Sequence, residues 1–327
     1  MQRQVATKQT PQAPGVMSTI ADGFSMALWR PLIVIVPLLL DLYYSIGWKI
    51  EIGSFAVSLQ RWATDLGVDR TDVNMLRIAR ISQWDITTAP SFFFVPSLLS
   101  GANPAQLYEF RTRQTYSTLH WGIDVVFIIG VFLLSMVSAA IFLGVLGDKA
   151  LDRDPSIRER IAETGRICLR LTGVSLLAIG AIAIVSGLVL AERIRAGQDI
   201  GPVFTAALIV QFFISLGLWF APDAIVMAKA GVWEAIKLSL LTFRRHFWAS
   251  MGFVSASVLF NQAMHDLFLH IASNAPGLII GVVLYAIFSS GLALASFWFF
   301  SSRNQQSRLT PAKAGSASSR SSRSKEK

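Results

Sequence analysis

Six apolar blocks, each close to the roughly 20 residues that a helix needs to cross a bilayer, constrain this chain more than any other feature. They run Pro31 to Trp48, Gly122 to Leu146, Leu171 to Ala191, Val203 to Pro222, Phe247 to Ile271 and Leu278 to Phe300. The first is the shortest and contains Asp41, and the fifth turns polar towards its end. Blocks this long cannot all face one internal core. A soluble domain carries about 25% charged residues, whereas this chain of 327 residues has 15% charged and 53% hydrophobic. In hydrocarbon an apolar block must satisfy its own backbone hydrogen bonds, so each is expected to be a helix. The predicted fold class is all-α: a polytopic membrane helix bundle of about six transmembrane helices with in-plane amphipathic helices.

Lys and Arg distribution sets the expected orientation. With the N-terminus inside, segments 1–31, 147–170, 228–246 and the stretch from 302 hold 3, 6, 4 and 7 basic residues, against 2 and 0 in the short outer loops 192–202 and 272–277. The long outer loop 49–121 is discounted, because long loops cross largely regardless of charge. Both termini are therefore expected in the cytoplasm. Trp29, Trp48, Trp121, Trp219, Trp248 and Trp298 fall near predicted span ends, where indole favours the headgroup level. The long polar N-terminal stretch does not resemble a cleaved signal peptide.

Three regions are expected: a cytoplasmic N-terminal segment 1–30, a membrane domain 31–302 that includes the outer loop, and a disordered basic cytoplasmic tail 303–327. In the first, Met17, Ile20, Phe24 and Leu28 predict an amphipathic helix on the inner surface. In 147–170, Asp154 reads as a helix cap with Pro155 and Glu159 behind it, and that helix should run into the third span. Beyond Pro222, residues Val232, Trp233, Ile236, Leu240 and Phe243 form an apolar stripe. Lys229, Lys237, Arg244 and Arg245 stand beside it as candidate lipid headgroup contacts. In the outer loop, 71–84 reads as an amphipathic helix. Residues 91–100, Ser-Phe-Phe-Phe-Val-Pro-Ser-Leu-Leu-Ser, are too short to span and read as re-entrant or interfacial.

Polar residues inside the blocks are the candidate site. A charged Asp at a span centre costs about 2.5–3.5 kcal/mol, so Asp41 should meet a partner. Gln211 on the fourth span and the His265 region of the fifth are the candidates. Asn261 and His265 are four apart, as are Gln262 and Asp266, which makes two adjacent polar faces suited to a cavity mouth or to a helix end in water. Asp124 reads as a helix N-terminal charge. Gly277 with Gly281, Gly291 with Ala295, Ala140 with Gly144 and Ala183 with Gly187 are small pairs for close helix packing. There is no catalytic motif of the serine, zinc or nucleotide-binding kinds. One cysteine and four histidines give no metal spacing, and no cofactor is expected.

The segment from Ala221 to Leu240, with Pro222, Glu234, Ala235 and Ser239, followed by Arg244 and Arg245, resembles a group of uncharacterised bacterial multi-span membrane proteins. They are similar to the membrane domain attached to some glycerophosphodiester phosphodiesterases. The run from Arg30 to Asp41 resembles them too. The phosphodiesterase barrel and its metal-binding carboxylates are absent, so the resemblance implies a bacterial plasma-membrane protein of this architecture and no phosphodiesterase activity. The expected role is a non-enzymatic membrane scaffold or accessory component. Its partners would be the lipid bilayer, anionic lipid headgroups on the cytoplasmic face and other proteins, with no nucleic acid. The alternative is a small transporter or channel-like protein using Asp41 and the His265/Asp266 region. The two differ in whether these residues share a hydrated cavity.

Overall fold

The computed structural model describes residues 14–46, 49–51, 58, 61, 65, 95–99, 115–117, 121–195 and 201–309. The predicted helix 71–84 lies outside them. The chain is a helical membrane protein: its helices Ile157–Arg195 and Gly201–Gly217 present Leu176, Ile184, Leu188, Phe212 and Phe213 to their surroundings, an apolar surface that only lipid or protein accommodates.

α1 (Val16–Trp29) is followed by a 3₁₀ turn at Pro31–Val34 and α2 (Ile35–Ile46). The chain bends by 95° between the two helices. Pro31 excludes the preceding residue from helical conformation, and Arg30 sits at φ −127°, ψ 74°. α1 occupies the segment expected from the sequence, but its buried face is Thr19, Ile20, Gly23 and Ala27, while Met17 and Leu28 are exposed. The reason is its partner. α1 packs against α9 (Ala275–Leu309), and a Cβ on Gly23 would collide with the Gly291 carbonyl oxygen, with Ala295 N at 2.8 Å. Phe24 stacks on Phe288 at 4.7 Å. Ile20 and Phe24 of the expected stripe thus lie on the packed side, and the small residues Gly23 and Ala27 let the two helices approach closely.

β1 (Lys49–Glu51) and β2 (Thr115–Ser117) pair in parallel, Ile50 opposite Tyr116, and so join the two ends of the long loop. α3 (Trp121–Ala150) leads to α4 (Ile157–Arg195), a single helix of 39 residues. At 1.5 Å per residue that is about 58 Å, nearly twice a hydrocarbon core of about 30 Å, so its charged first turns extend beyond the apolar part. The cap is Ser156, not Asp154. The Glu159 amide donates to Ser156 Oγ, and the Ser156 amide donates to the Glu159 carboxylate at 3.0 Å. This reciprocal box satisfies two orphan donors, which a lone Asp cannot do.

Ion pairs gather at this end of the bundle. Arg30 donates to the Lys149 carbonyl and to Asp152, Arg153 and Arg160 meet Asp148, and Lys229 meets Glu163 at 3.2 Å. We call it the basic end.

α5 (Gly201–Gly217) breaks before α6 (Ala221–Met227). The break leaves backbone groups without helical partners. Ser239 of α7 (Val232–Arg245) closes it, donating to the Gly217 carbonyl at 2.7 Å and accepting from the Phe220 amide at 3.1 Å. α8 (Phe247–Ile271) and α9 form the last hairpin. Gly277 and Gly281 sit so close to the backbone at Ile271 and Phe268 that a Cβ on either would collide. Phe220, Phe253 and Phe299 stack at the centre, Phe253 on Phe299 at 4.7 Å.

Among the described residues four helices are long and apolar enough to cross a membrane, or five if the bent pair of α1 with the 3₁₀ turn and α2 counts as one. α8 has 25 residues and is not among them, because Asn261, Gln262, His265 and Asp266 interrupt its apolar run. The residues just beyond 302, expected in a tail without regular structure, are helical. α9 continues to Leu309, with Arg303 lying over the Phe299 ring at 5.2 Å and donating to the Pro14 carbonyl. Those contacts hold the first residues beyond 302 in helix.

Candidate functional site: a buried clamp beside a polar cavity

Asp41 is fully buried on α2. Its carboxylate accepts three hydrogen bonds from one short segment: Ser97 Oγ at 2.5 Å and the Leu99 amide at 3.0 Å on Oδ1, and the Leu98 amide at 3.2 Å on Oδ2. Residues 95–99 are not helical, and Val95, Ser97, Leu98 and Leu99 are buried. Irregular backbone among apolar helices is tolerated where protein supplies its hydrogen bonds, and a carboxylate is the one side chain that can accept all three. On the far side, His265 Nε2 lies 3.0 Å from the Leu98 carbonyl. The carbonyl can only accept, so Nε2 carries the hydrogen.

Beside this clamp is a cavity of about 690 Å³ between α3, the α5–α6 break, α8 and α9. Val95, Pro96 and Ser97 contribute to one end of its wall, together with Asn261, His265 and Tyr285. Tyr285 donates to Asn261 Oδ1 at 3.2 Å, and the His265 ring meets the Tyr285 ring edge-on. Asp223 of α6 lines the cavity deeper in. It is 4% exposed, and Ser296 donates to its Oδ2 at 2.6 Å. Tyr285 and Ser296 are about 16 Å apart along α9 at 1.5 Å per residue, so the cavity extends along about three turns of that helix. Ser257, also buried, lines it with a hydroxyl that has no hydrogen-bond partner among the described residues.

The candidates divide accordingly. His265 and Asn261 face the cavity; Asp266 is exposed, bonded to Gln262 at 3.1 Å. Asp41 does not line the cavity; it stands behind Ser97. Gln211 is exposed on α5, and among the described residues the Asp41 carboxylate is hydrogen-bonded to Ser97, Leu98 and Leu99 instead. Lys229, expected at lipid headgroups, pairs with Glu163. Its backbone takes φ 53°, and its carbonyl accepts from Arg170 at 2.8 Å. Lys237, Arg244 and Arg245 are exposed on α7 and its end. Trp219, expected at an interface, lines the cavity. Sequence reasoning missed Asp223, a carboxylate one residue after the helix-breaking Pro222. The signal available was an acidic residue with no basic residue within four positions on either side.

Comparison with protein-family models, with curated proteins and with solved structures finds no match to this chain. The site therefore has to be read from its own chemistry. Its described lining offers one carboxylate, one imidazole, hydroxyls and amides, and no Lys or Arg.

Proposed function

We propose that this chain is a multi-pass protein of a bacterial plasma membrane, with six spans and both termini in the cytoplasm, and that it takes up a cation or a proton in its intramembrane cavity, as a small transporter or channel-like protein does. The observation that carries the reading is Asp223: a buried acidic side chain facing a cavity, with Ser296 as its hydrogen-bond partner. An acidic group at that depth takes up a proton or a cation partner. His265 and Asn261 at the other end add groups suited to proton or cation passage. Counting α8 as a span follows from the same idea, since its Asn261 and His265 line the cavity.

The test is charge movement in reconstituted liposomes under imposed proton and cation gradients. Wild type is expected to carry Asp223-dependent current, and Asp223→Asn to lose it. Wild type without current would remove the reading.

A second reading has its own observation. On α7 and the start of α8, Trp233 is 66% and Trp248 83% exposed, beside exposed Lys237, Arg244 and Arg245. Aromatic and basic residues together suit anionic headgroups, as a lipid-binding scaffold or accessory component would require. The resemblance to bacterial multi-span proteins fits either reading. Lipids and proteins co-purifying in gentle detergent, identified by mass spectrometry, separate it from transport.

A further inference from the structure

We infer that the cavity is a binding site for a lipophilic organic monocation, a compound with an apolar body and a single ammonium- or phosphonium-type charge, which enters sideways from the bilayer. The inference rests on the cation reading above and specifies its ligand.

Three observations select this class. The first is charge. Asp223 is the one carboxylate of the described lining, and no Lys or Arg there opposes it. An anion finds no Lys or Arg among these residues. The second is donor number. A divalent cation takes about six to eight oxygen ligands. Among the described residues there is no group of three or more His, Cys, Asp or Glu that could hold a metal. One carboxylate with a neighbouring hydroxyl suits one diffuse positive charge. The walls supply the rest, since Trp219, Phe253, Tyr285 and Phe297 line the cavity. Aromatic faces attract a desolvated cation, and a cavity of about 690 Å³ with a wall of mixed polar and apolar side chains lies within the size range of sites for drug-sized ligands.

The third observation is the mouth. Val258 and Gln262 line the cavity, yet Val258 is 50% exposed and Gln262 is exposed as well. The neighbouring Leu259 is 70% exposed. The opening is thus on the flank of α8, with the apolar Val258 and Leu259 and the Gln262–Asp266 pair beside it. A hydrated inorganic ion would have to shed its shell in lipid to use it. A lipophilic cation already partitions into the bilayer and reaches Asp223 without that cost.

The experiment uses the full chain in lipid nanodiscs with radiolabelled tetraphenylphosphonium. Saturable binding is expected in wild type, weaker by about tenfold or more in Asp223→Asn, the scale of a lost buried charge partner. Tetraphenylborate, of matching size and opposite charge, should not compete. As a measurement on wild type alone, dicyclohexylcarbodiimide should label Asp223, read by mass spectrometry, and tetraphenylphosphonium should protect it. Equal binding in Asp223→Asn, competition by tetraphenylborate or absence of protection overturns the inference. If the protein instead shows Asp223-dependent current with methylammonium or protons and no tetraphenylphosphonium binding, the cation reading stands and the lipophilic ligand falls. If neither depends on Asp223, both fall.

Discussion

Asp41 and His265 hold the two ends of the same peptide residue: the Leu98 amide donates to Asp41 Oδ2 at 3.2 Å, and the Leu98 carbonyl meets His265 Nε2 at 3.0 Å. Helices α2 and α8 are thereby tied through a short non-helical segment whose neighbours Val95 to Ser97 wall the cavity. Each side chain sits where the backbone group it faces has no helical partner.

This arrangement orders two substitutions at Asp41. Both carboxylate oxygens accept, and all three donors come from the segment. Asn offers one acceptor oxygen and turns an NH₂ group towards a donor. Asp41→Asn should cost about 1–3 kcal/mol, the price of one buried unsatisfied group, and Asp41→Leu more, since every donor is orphaned. Thermal unfolding in detergent should rank wild type above Asn above Leu. Equal midpoints for the three would show that Asp41 does not hold the segment.

The contact of Gly23 with Gly291 predicts a steric result. A Cβ at Gly23 meets the α9 backbone, and one at Gly291 meets Phe24 Cδ1 at 2.5 Å. Gly23→Val and Gly291→Val should each destabilise by about 1–3 kcal/mol, as overpacking does. Gly180, which has nothing within 4 Å of an added Cβ, should tolerate Ala. Unfolding midpoints of the three variants compare them directly, and an unchanged Gly23→Val would mean that α1 does not dock on α9.

Whether α8 crosses the membrane is a question of topology. With the proposed orientation, reporter fusions after residues 160, 240 and 310 should signal cytoplasm, and fusions after 197 and 273 the outside. A cytoplasmic signal at 273 would make α8 a helix that does not cross and would reduce the span count.

Several elements were legible in the sequence because their causes are local. A run of apolar residues uninterrupted by charge must be a helix in lipid, and so the expected apolar blocks are found in helices, four of which are long and apolar enough to cross a membrane among the described residues. The continuity of Ile157–Arg195 follows from a start signal with no breaker behind it. The short run with Pro96 could not span, and its described part is non-helical and buried.

What the tertiary structure decided is the direction each residue faces. Gln211 and Asp223 lie on one stretch of chain and are both polar, yet Gln211 is exposed and Asp223 is 4% exposed. On α1 the larger apolar residues Met17 and Leu28 lost the buried face to Gly23 and Ala27. In lipid both sides of a helix meet apolar surroundings, so hydrophobic periodicity carries little information about which side is inside. Close fit of small residues and satisfaction of buried polar groups choose the face, and both depend on helices that are distant in sequence. By itself the sequence determined that these segments are helices; packing between them determined that Asp41 closes a clamp and Asp223 faces a cavity.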